Sequence, residues 1–160
     1  MRPTQLPGWN IDQLEYPTFH ITLIAKIMDR LTVRYLADPG EMTYAEWRVL
    51  VRLATMEVGG TVRQVADLAW VDRAEVSRAA SSLEAKGVVG RRENPQDRRK
   101  PVLFLTRRGR DLYRREVKRR QEFHENLLVG LSAAERQLLD DLLGRIGERL
   151  VGMTKTAGDA

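Results

Sequence analysis

Between Asp72 and Gly87 the sequence places hydrogen-bonding side chains on one side of a predicted helix and apolar residues on the other. The apolar residues recur at the i, i+3, i+4, i+7 spacing of a buried stripe: Val76, Ala79, Ala80 and Leu83. Hydroxyls, guanidinium groups and carboxylates on the other side suit hydrogen bonding to base edges or phosphates. The candidate residues there are Arg73, Glu75, Ser77, Arg78, Ser81 and Ser82. Arg78 suits a base contact and a phosphate contact equally.

A second group of cations lies in a turn between two predicted strands. Residues 88–93 and 101–105 have the composition of short strands, and Asn94-Pro95 is typical of a turn. The loop carries one anion followed by three cations: Asp97, Arg98, Arg99 and Lys100. A basic loop of this kind suits the DNA backbone or the minor groove. The alternative is a solvated surface ion pair, worth only ~0–1 kcal/mol.

Catalytic and metal-binding patterns are missing from the sequence. The two histidines, His20 and His124, lie far apart, and no HExxH, nucleophile elbow or glycine-rich phosphate loop occurs. The absence of cysteine excludes disulfides, thiolate chemistry and cysteine-rich zinc sites. We therefore predict a protein that is not an enzyme and needs no cofactor or metal. A metal held by both histidines at a dimer junction is the alternative.

The elements that position these residues begin with a short helix before the polar one. Thr61 and Gln64 have the spacing of a capping box, and Asp72 and Glu75 repeat it eleven residues later. The apolar pattern is interrupted at residues 69–71, which predicts a tight turn between two helices. Two such helices followed by a basic hairpin describe a winged helix-turn-helix, whose second helix enters the major groove of DNA.

Longer helices are predicted on either side. One opens at Pro17-Thr18 and stops at residues 38–40, and Thr43 with Glu46 caps the next. A long basic helix follows Thr106 to about Leu128, and Ser132 with Glu135 caps the last helix. That helix has an apolar stripe too wide for one small surface, so it is a dimer face or a buried core helix. Residues 1–16 are predicted as an extended arm that Trp9 or Ile11 anchors on a partner subunit.

Charge is distributed unevenly along the chain. The net charge is +5, but residues 61–120 contain 17 Lys and Arg against 8 Asp and Glu, a net of +9. A positive block on an acidic scaffold favours a nucleic acid as partner. No apolar run approaches the ~18 residues of a membrane span, and no signal region begins the chain. We expect a cytoplasmic protein without a membrane partner.

Several segments resemble the MarR family of bacterial transcriptional regulators. They are Ala66, Ser77-Arg78, Leu83-Glu84-Ala85-Lys86-Gly87, Asn94-Pro95-Gln96-Asp97-Arg98-Arg99 and Leu105-Thr106-Arg107-Arg108-Gly109. Their order and spacing make the resemblance specific, and it extends over roughly residues 18–152. Two departures are Trp70, at a turn where a small residue is common, and Ser81-Ser82, where an acidic and a basic residue are common.

The resemblance implies a mainly α fold with a small β-hairpin wing, namely a winged helix-turn-helix with long N- and C-terminal dimerisation helices. The expected divisions are an arm (1–17), dimerisation helices (18–42 and 107–153), a DNA-binding lobe (43–106) and a frayed tail (154–160). The dimer interface would contain Phe19, Leu23, Leu138, Leu142, Ile146 and Leu150. Such a homodimer would bind an inverted repeat in double-stranded DNA and act as a repressor. In the wing, Arg99 would enter the minor groove while Asp97 holds its guanidinium group.

The resemblance also implies a small aromatic anion that weakens DNA binding from a cleft beside the DNA-binding lobe. Aromatic and cationic side chains for such a cleft are His20, Trp47, Arg48 and Arg52. Trp47 fits the core better than a cleft, and the two arginines also fit a solvated surface. A function of another class, a winged helix that docks proteins without sequence-specific DNA binding, is the remaining alternative.

Overall fold

A computed structural model describes residues 6–13, 16–36 and 42–157 of the chain. The described residues form four helices, a two-stranded antiparallel sheet and two further helices, in the predicted order. The elements are α1 (Pro17–Leu36), α2 (Tyr44–Ala54), α3 (Val62–Ala69), α4 (Arg73–Ala85), β1 (Val89–Arg92), β2 (Val102–Leu105), α5 (Arg107–Leu127) and α6 (Ala133–Ala157). The mainly helical fold with a hairpin wing is confirmed.

The chain divides into two compact units, and the boundary lies inside α5, between Lys118 and Arg119. The first unit contains the helix-turn-helix of α3 and α4, together with α1, α2, the hairpin and the start of α5. The second contains the end of α5 and all of α6. The predicted assignment of residues 18–42 and 107–153 to a dimerisation layer concerns an assembly, and it stays a prediction.

The hydrophobic core of the first unit lies where α2 packs against α3 and α4. The apolar stripe predicted for α4 is confirmed, because all four of its residues are buried. The hairpin closes the other side of this core through β1 on α4 and β2 on α2. The main buried residues are Val49, Leu50, Leu53, Val65, Val76, Ala80, Leu83, Val89 and Leu103.

Three capping boxes fix where helices begin, as predicted. In each, the hydroxyl of the first residue accepts a hydrogen bond from a backbone N–H three residues later, and the later side chain accepts one in return. For Thr43 and Glu46 the two distances are 3.2 and 2.6 Å. The other two pairs are Thr61–Gln64 and Ser132–Glu135.

The hairpin pairs Val89 with Leu105 at one end and Arg92 with Val102 at the other. A single antiparallel bridge joins Gly60 to this hairpin at Leu103, with both N–H···O distances at 2.9 Å. The preceding Gly59 has φ of +73°, and a Cβ on it would lie 2.1 Å from the Leu103 carbonyl oxygen. Only glycine fits this close approach.

Three expectations outside the core have different outcomes. Helix α6 continues to Ala157, so the structure describes residues 154–157 of the predicted frayed tail as helical; residues 158–160 lie outside the described part. The predicted stop of α1 at residues 38–40 also lies outside it. In the arm, the Trp9 ring stacks on His20 of the same chain, with 3.8 Å between ring centroids.

Among the described residues, no helix combines the length and apolar character that crossing a membrane needs. The same residues contain no cluster of three or more histidine and carboxylate side chains placed to hold a metal ion.

Candidate nucleic-acid interface

Helix α4 presents a solvent-facing side opposite its buried stripe. Asp72 caps its first turn by accepting a hydrogen bond from the Ala74 amide at 2.9 Å, as predicted. Three of the candidate side chains on the exposed side have no hydrogen bond or ion pair within the described chain, and are therefore available to a ligand. They are Arg73, Ser77 and Arg78.

Glu75 has a different role from the predicted one. Its spacing from Asp72 predicted a capping box, but its carboxylate forms an ion pair with Arg48 of α2 instead. The Arg48 guanidinium also lies 5.1 Å from the centroid of the Tyr44 ring. Since both side chains are two-thirds buried, the pair connects α2 to the first turn of α4. The Glu75 carboxylate therefore already has a partner within the protein.

The two serines near the end of α4 are also engaged within the protein. The Ser81 hydroxyl accepts a hydrogen bond from Arg91 at 3.0 Å, and Arg91 forms an ion pair with Glu84 at 2.8 Å. These contacts connect the wing strand β1 to α4. The Ser82 hydroxyl donates to the Glu46 carboxylate.

A buried ion pair holds the end of α4 on α2. Glu46 is only 2% exposed, and Lys86 Nζ lies 2.7 and 2.9 Å from its two carboxylate oxygens. Burial raises the pKa of Glu46, but hydrogen bonds from Lys86, Ser82 and the Thr43 amide outweigh it and leave the pKa below its ordinary value. The sequence predicted Glu46 only as a capping residue, so this connection was missed.

The wing loop is internally hydrogen-bonded. The Asn94 side-chain amide donates to the Lys100 carbonyl at 3.1 Å, and its oxygen accepts from the Gln96 amide at 3.1 Å. Asp97 accepts from the Arg99 backbone amide at 3.0 Å and pairs with Lys100 at 2.8 Å. The Lys100 side chain and the Arg99 amide both hold the pKa of Asp97 below its ordinary value.

The family resemblance implied that Asp97 would bind the Arg99 guanidinium group, and the structure does not show this contact. Asp97 binds the backbone amide of Arg99 instead, and the described residues give that guanidinium no partner. Arg98 forms an ion pair with Glu93 at 2.5 Å, although both side chains remain largely exposed. The exposed Arg99 is therefore the cation of the wing loop that is free to bind another molecule.

The turn between α3 and α4 has an unusual residue in a left-handed conformation. Trp70 has φ of 54° and ψ of 44°, and its amide donates to the Ala66 carbonyl. The Val71 amide donates to the same carbonyl at 3.2 Å. The Trp70 bond is the 5→1 bond of an αL motif, and the Val71 bond is the 6→1 bond of a Schellman motif; both motifs usually have glycine where Trp70 stands. The Trp70 side chain is 67% exposed.

Three of the four residues predicted for a ligand cleft have separate partners within the protein. His20 stacks on Trp9, and its Nε2 lies 3.0 Å from the Trp9 carbonyl oxygen. Trp47 packs against the core and stacks near Tyr113, with ring centroids 6.2 Å apart. Arg48 pairs with Glu75, and Arg52 is partly buried. Two cavities of about 590 and 610 Å³ in the first unit are lined by none of the four.

The apolar stripe of α6 faces solvent in the single chain. Leu138 and Leu150 are each 58% exposed, and Leu142 is 44% exposed, while Ile146 is partly buried. On α1, Phe19 and Leu23 are partly buried. An exposed apolar face of this extent on one helix is typical of an interface with another chain.

Comparison with known proteins gives one family. Residues 41–100 match the family model described as MarR family. The HTH-type transcriptional regulator YdgJ of Bacillus subtilis is 40% identical over 76 residues, which are 48% of this chain. The match covers 46% of YdgJ, so this chain spans about half the length of that relative.

Solved structures share the fold. A mutant MarR from E. coli, complexed with operator DNA, has a TM-score of 0.69 and 28% identity, and the match covers 81% of this chain and 91% of that one. BpsR of Bordetella bronchiseptica, whose DNA binding is regulated by 6-hydroxynicotinic acid, has a TM-score of 0.72 and 23% identity. That match covers 82% of this chain and 99% of BpsR.

Proposed function

We propose that this chain, whose residues 41–100 match the MarR family model, is a winged helix-turn-helix transcriptional regulator that binds double-stranded DNA as a homodimer. The family consists of transcriptional regulators and not of enzymes. The observation that carries the proposal is the exposed side of α4, where Arg73, Ser77 and Arg78 have no partner within the described chain.

Base contacts come from the start and middle of α4. In a helix-turn-helix the N-terminal residues of the second helix contact base edges in the major groove. Arg73 and Ser77 occupy those positions, and Arg78 contacts a base or a phosphate. Ser81, Ser82 and Glu75 contribute indirectly, because their hydrogen bonds to Arg91, Glu46 and Arg48 fix α4 on the rest of the lobe.

Backbone contacts come from the wing and the other cations of the lobe. Arg99 is the wing residue with a free guanidinium, which suits a narrow minor groove. Arg98 and Lys100 are paired with Glu93 and Asp97 but remain exposed, so they add to the positive potential around the loop. The net charge of +9 over residues 61–120 supports this assignment.

A dimer contacts a longer stretch of DNA than one protomer does, and specific binding needs that length. One helix contacts only a few base pairs, whereas a two-fold dimer places two such helices about one helical turn, ~34 Å, apart. The matching site is an inverted repeat. The exposed leucines of α6 support this part of the proposal, and occupation of a promoter by such a dimer would repress transcription.

A titration of binding against salt tests the proposal. If a dimer neutralises about 8 phosphates, the log–log slope is near −7 and the affinity falls by about four decades between ~50 and ~200 mM salt. The measurement is a fluorescence-anisotropy titration on a labelled inverted-repeat duplex selected from a random pool. A slope near zero, or one protomer bound per duplex, would favour a protein-docking winged helix instead.

We also propose that a small aromatic carboxylate weakens DNA binding by competing for Arg48. The Glu75 carboxylate already pairs with Arg48. A ligand carboxylate that takes its place on Arg48 would release the first turn of α4 from α2. A ligand shifts the equilibrium only by its difference in affinity between the two arrangements. The expected result is that salicylate-like compounds weaken the wild-type complex but not the complex of Arg48→Ala/Arg52→Ala. Equal responses of both proteins would contradict it.

A further inference from the structure

Trp70 is in a backbone conformation that its side chain does not favour. Its φ of 54° lies in the left-handed region, where a Cβ comes too close to the neighbouring carbonyl oxygen. The two hydrogen bonds to the Ala66 carbonyl require a residue in this conformation at position 70. Glycine would meet the requirement without strain, so the tryptophan needs another explanation.

Burial does not explain the tryptophan. The Trp70 side chain is 67% exposed, and neighbouring Leu68 on the last turn of α3 is 48% exposed. The residues of this region that fill the core are Val65 and Ala66. Within the described chain the Trp70 ring has no aromatic or cation–π partner. A strained residue that adds little to packing is typical of a functional site.

The position of the ring indicates what it binds. Trp70 precedes the cap of α4 by two residues and Arg73 by three. In a helix-turn-helix the first helix crosses the DNA backbone while the start of the second enters the groove. A side chain on the turn between them therefore lies over the sugar–phosphate backbone at the edge of the groove.

The chemistry of an indole suits that surface. The indole N–H donates a hydrogen bond and the group has no acceptor, while a phosphate offers only acceptors. The ring itself is apolar, as is the face of a deoxyribose. Arg73, three residues further along the chain, brings positive charge near the ring, whereas Arg63 of α3 is paired with Asp67.

We propose that Trp70 is a DNA-backbone contact: its indole N–H donates to a phosphate of each half-site, and the Trp70 and Leu68 side chains pack on the adjacent sugars. The inference rests on the proposed function and adds to it a residue that the α4 and wing contacts leave out. A contact to the backbone strengthens binding to every sequence alike and does not select bases.

Replacement by glycine separates this role from a structural one. Trp70→Gly removes the ring and also relieves the left-handed strain, so the melting temperature should rise by about 3 °C for a chain of this size. The affinity for operator DNA should fall by about tenfold per half-site, or about hundredfold for the dimer. Trp70→Phe keeps a ring without the N–H, and we expect a smaller loss. Val129→Ala, at an exposed apolar residue with no role in the proposed contacts, is the control and should leave the affinity unchanged.

The affinity of each protein should be measured at one salt concentration, once for the selected operator and once for a scrambled duplex. The expected result is that Trp70→Gly weakens both by a similar factor, with a raised melting temperature. Wild-type affinity in Trp70→Gly overturns this inference alone, and so does a loss confined to the operator, since that indicates a base contact. A wild-type protein that binds neither duplex overturns the proposed function as well.

Discussion

At the scale of single residues, the cations of the DNA-binding lobe divide by whether they have a partner in the chain. Arg48, Arg91 and Lys86 are held by carboxylates of neighbouring elements and fix α4 on its supports. The guanidinium groups of Arg73 and Arg99 have no such partner in the described residues. The first set determines where the helix lies, and the second is available to DNA.

This division predicts two different effects of substitution on DNA binding. Arg99→Ala should weaken binding to many sequences, and most where the flanks are A·T-rich, because a narrow minor groove attracts arginine. Arg73→Ala or Ser77→Ala should instead change which bases are preferred, with about 1–3 kcal/mol lost at one position. Binding to a randomised duplex library measures both effects.

The outcome that contradicts the wing assignment is specific. If Arg99→Ala keeps wild-type affinity on A·T-rich flanks, with an unchanged melting temperature, Arg99 is not a groove contact. Arg98→Ala is a matched control on the same loop, since Arg98 is already paired with Glu93. Arg98→Ala should lower the affinity for DNA less than Arg99→Ala does.

At the scale of elements, helix α2 supports the DNA-binding helix at both ends with charges of opposite sign. Arg48 of α2 pairs with Glu75 in the first turn of α4, and Glu46 pairs with Lys86 just beyond its last turn. Two contacts at separate points fix the direction of α4 as well as its position. In the proposed complex the orientation of α4 in the groove would therefore depend on the ion pairs that α2 makes with it.

The buried pair predicts how stability depends on pH. Because the pKa of Glu46 is lowered in the folded protein, its carboxylate stabilises the fold at neutral pH. That contribution is lost as the pH falls below about 4.5, the ordinary value, and through the lowered one. Glu46→Gln should cost about 1–2 kcal/mol at pH 7, less than a fully buried pair, because Lys86 is one-third exposed.

Urea unfolding at pH 7 and at pH 4 measures this effect. The difference between wild type and Glu46→Gln should shrink at the lower pH. Glu93→Gln removes a carboxylate from an exposed pair and is the control that should change stability little. A difference that stays constant with pH would contradict the assignment of the pair.

The elements show which features a sequence predicts and which it does not. The three capping boxes are confirmed, because both partners lie within four residues and depend only on local backbone geometry. The partner of Glu75 was not predictable in this way, since Arg48 is 27 residues away and becomes a neighbour only when α2 packs on α4. Glu46 shows both cases: its capping bond was predicted, and its pairing with Lys86, 40 residues away, was not.

Trp70 illustrates a further limit. Its position predicted a turn, and the turn is there, but no sequence pattern indicated a left-handed tryptophan with an exposed ring. Local propensity favours glycine or asparagine at such a position. The conformation is visible only once the hydrogen bonds to Ala66 are known.

At the scale of the whole molecule, an apolar surface of the single chain remains exposed to solvent. The leucines of α6 are exposed although α6 is a regular helix of 25 residues. Large exposed apolar patches are unfavourable in water and promote association. The proposed homodimer would cover these leucines, which accounts for a stripe wider than one helix needs to pack on a single neighbour.

Disruption of α6 should therefore change the assembly. Truncation before Leu138 removes most of the stripe, and we expect a monomeric or aggregating protein. Leu142→Glu in the full chain should also shift sedimentation toward the monomer, whereas Asp141→Asn, on a residue that binds Gln137 instead, should not. A truncated protein that sediments as an intact, soluble dimer would contradict the interface.

The hydrogen bonds inside the wing loop affect the thermodynamics of association. Ordering a free loop costs conformational entropy of about 1–2 kcal/mol per residue at 25 °C. In this loop Asn94 and Asp97 bind the backbone at Lys100 and Arg99, so part of that ordering occurs during folding and not when DNA arrives. If the wing binds DNA as proposed, these two side chains would reduce the entropic penalty of binding without needing to touch the duplex.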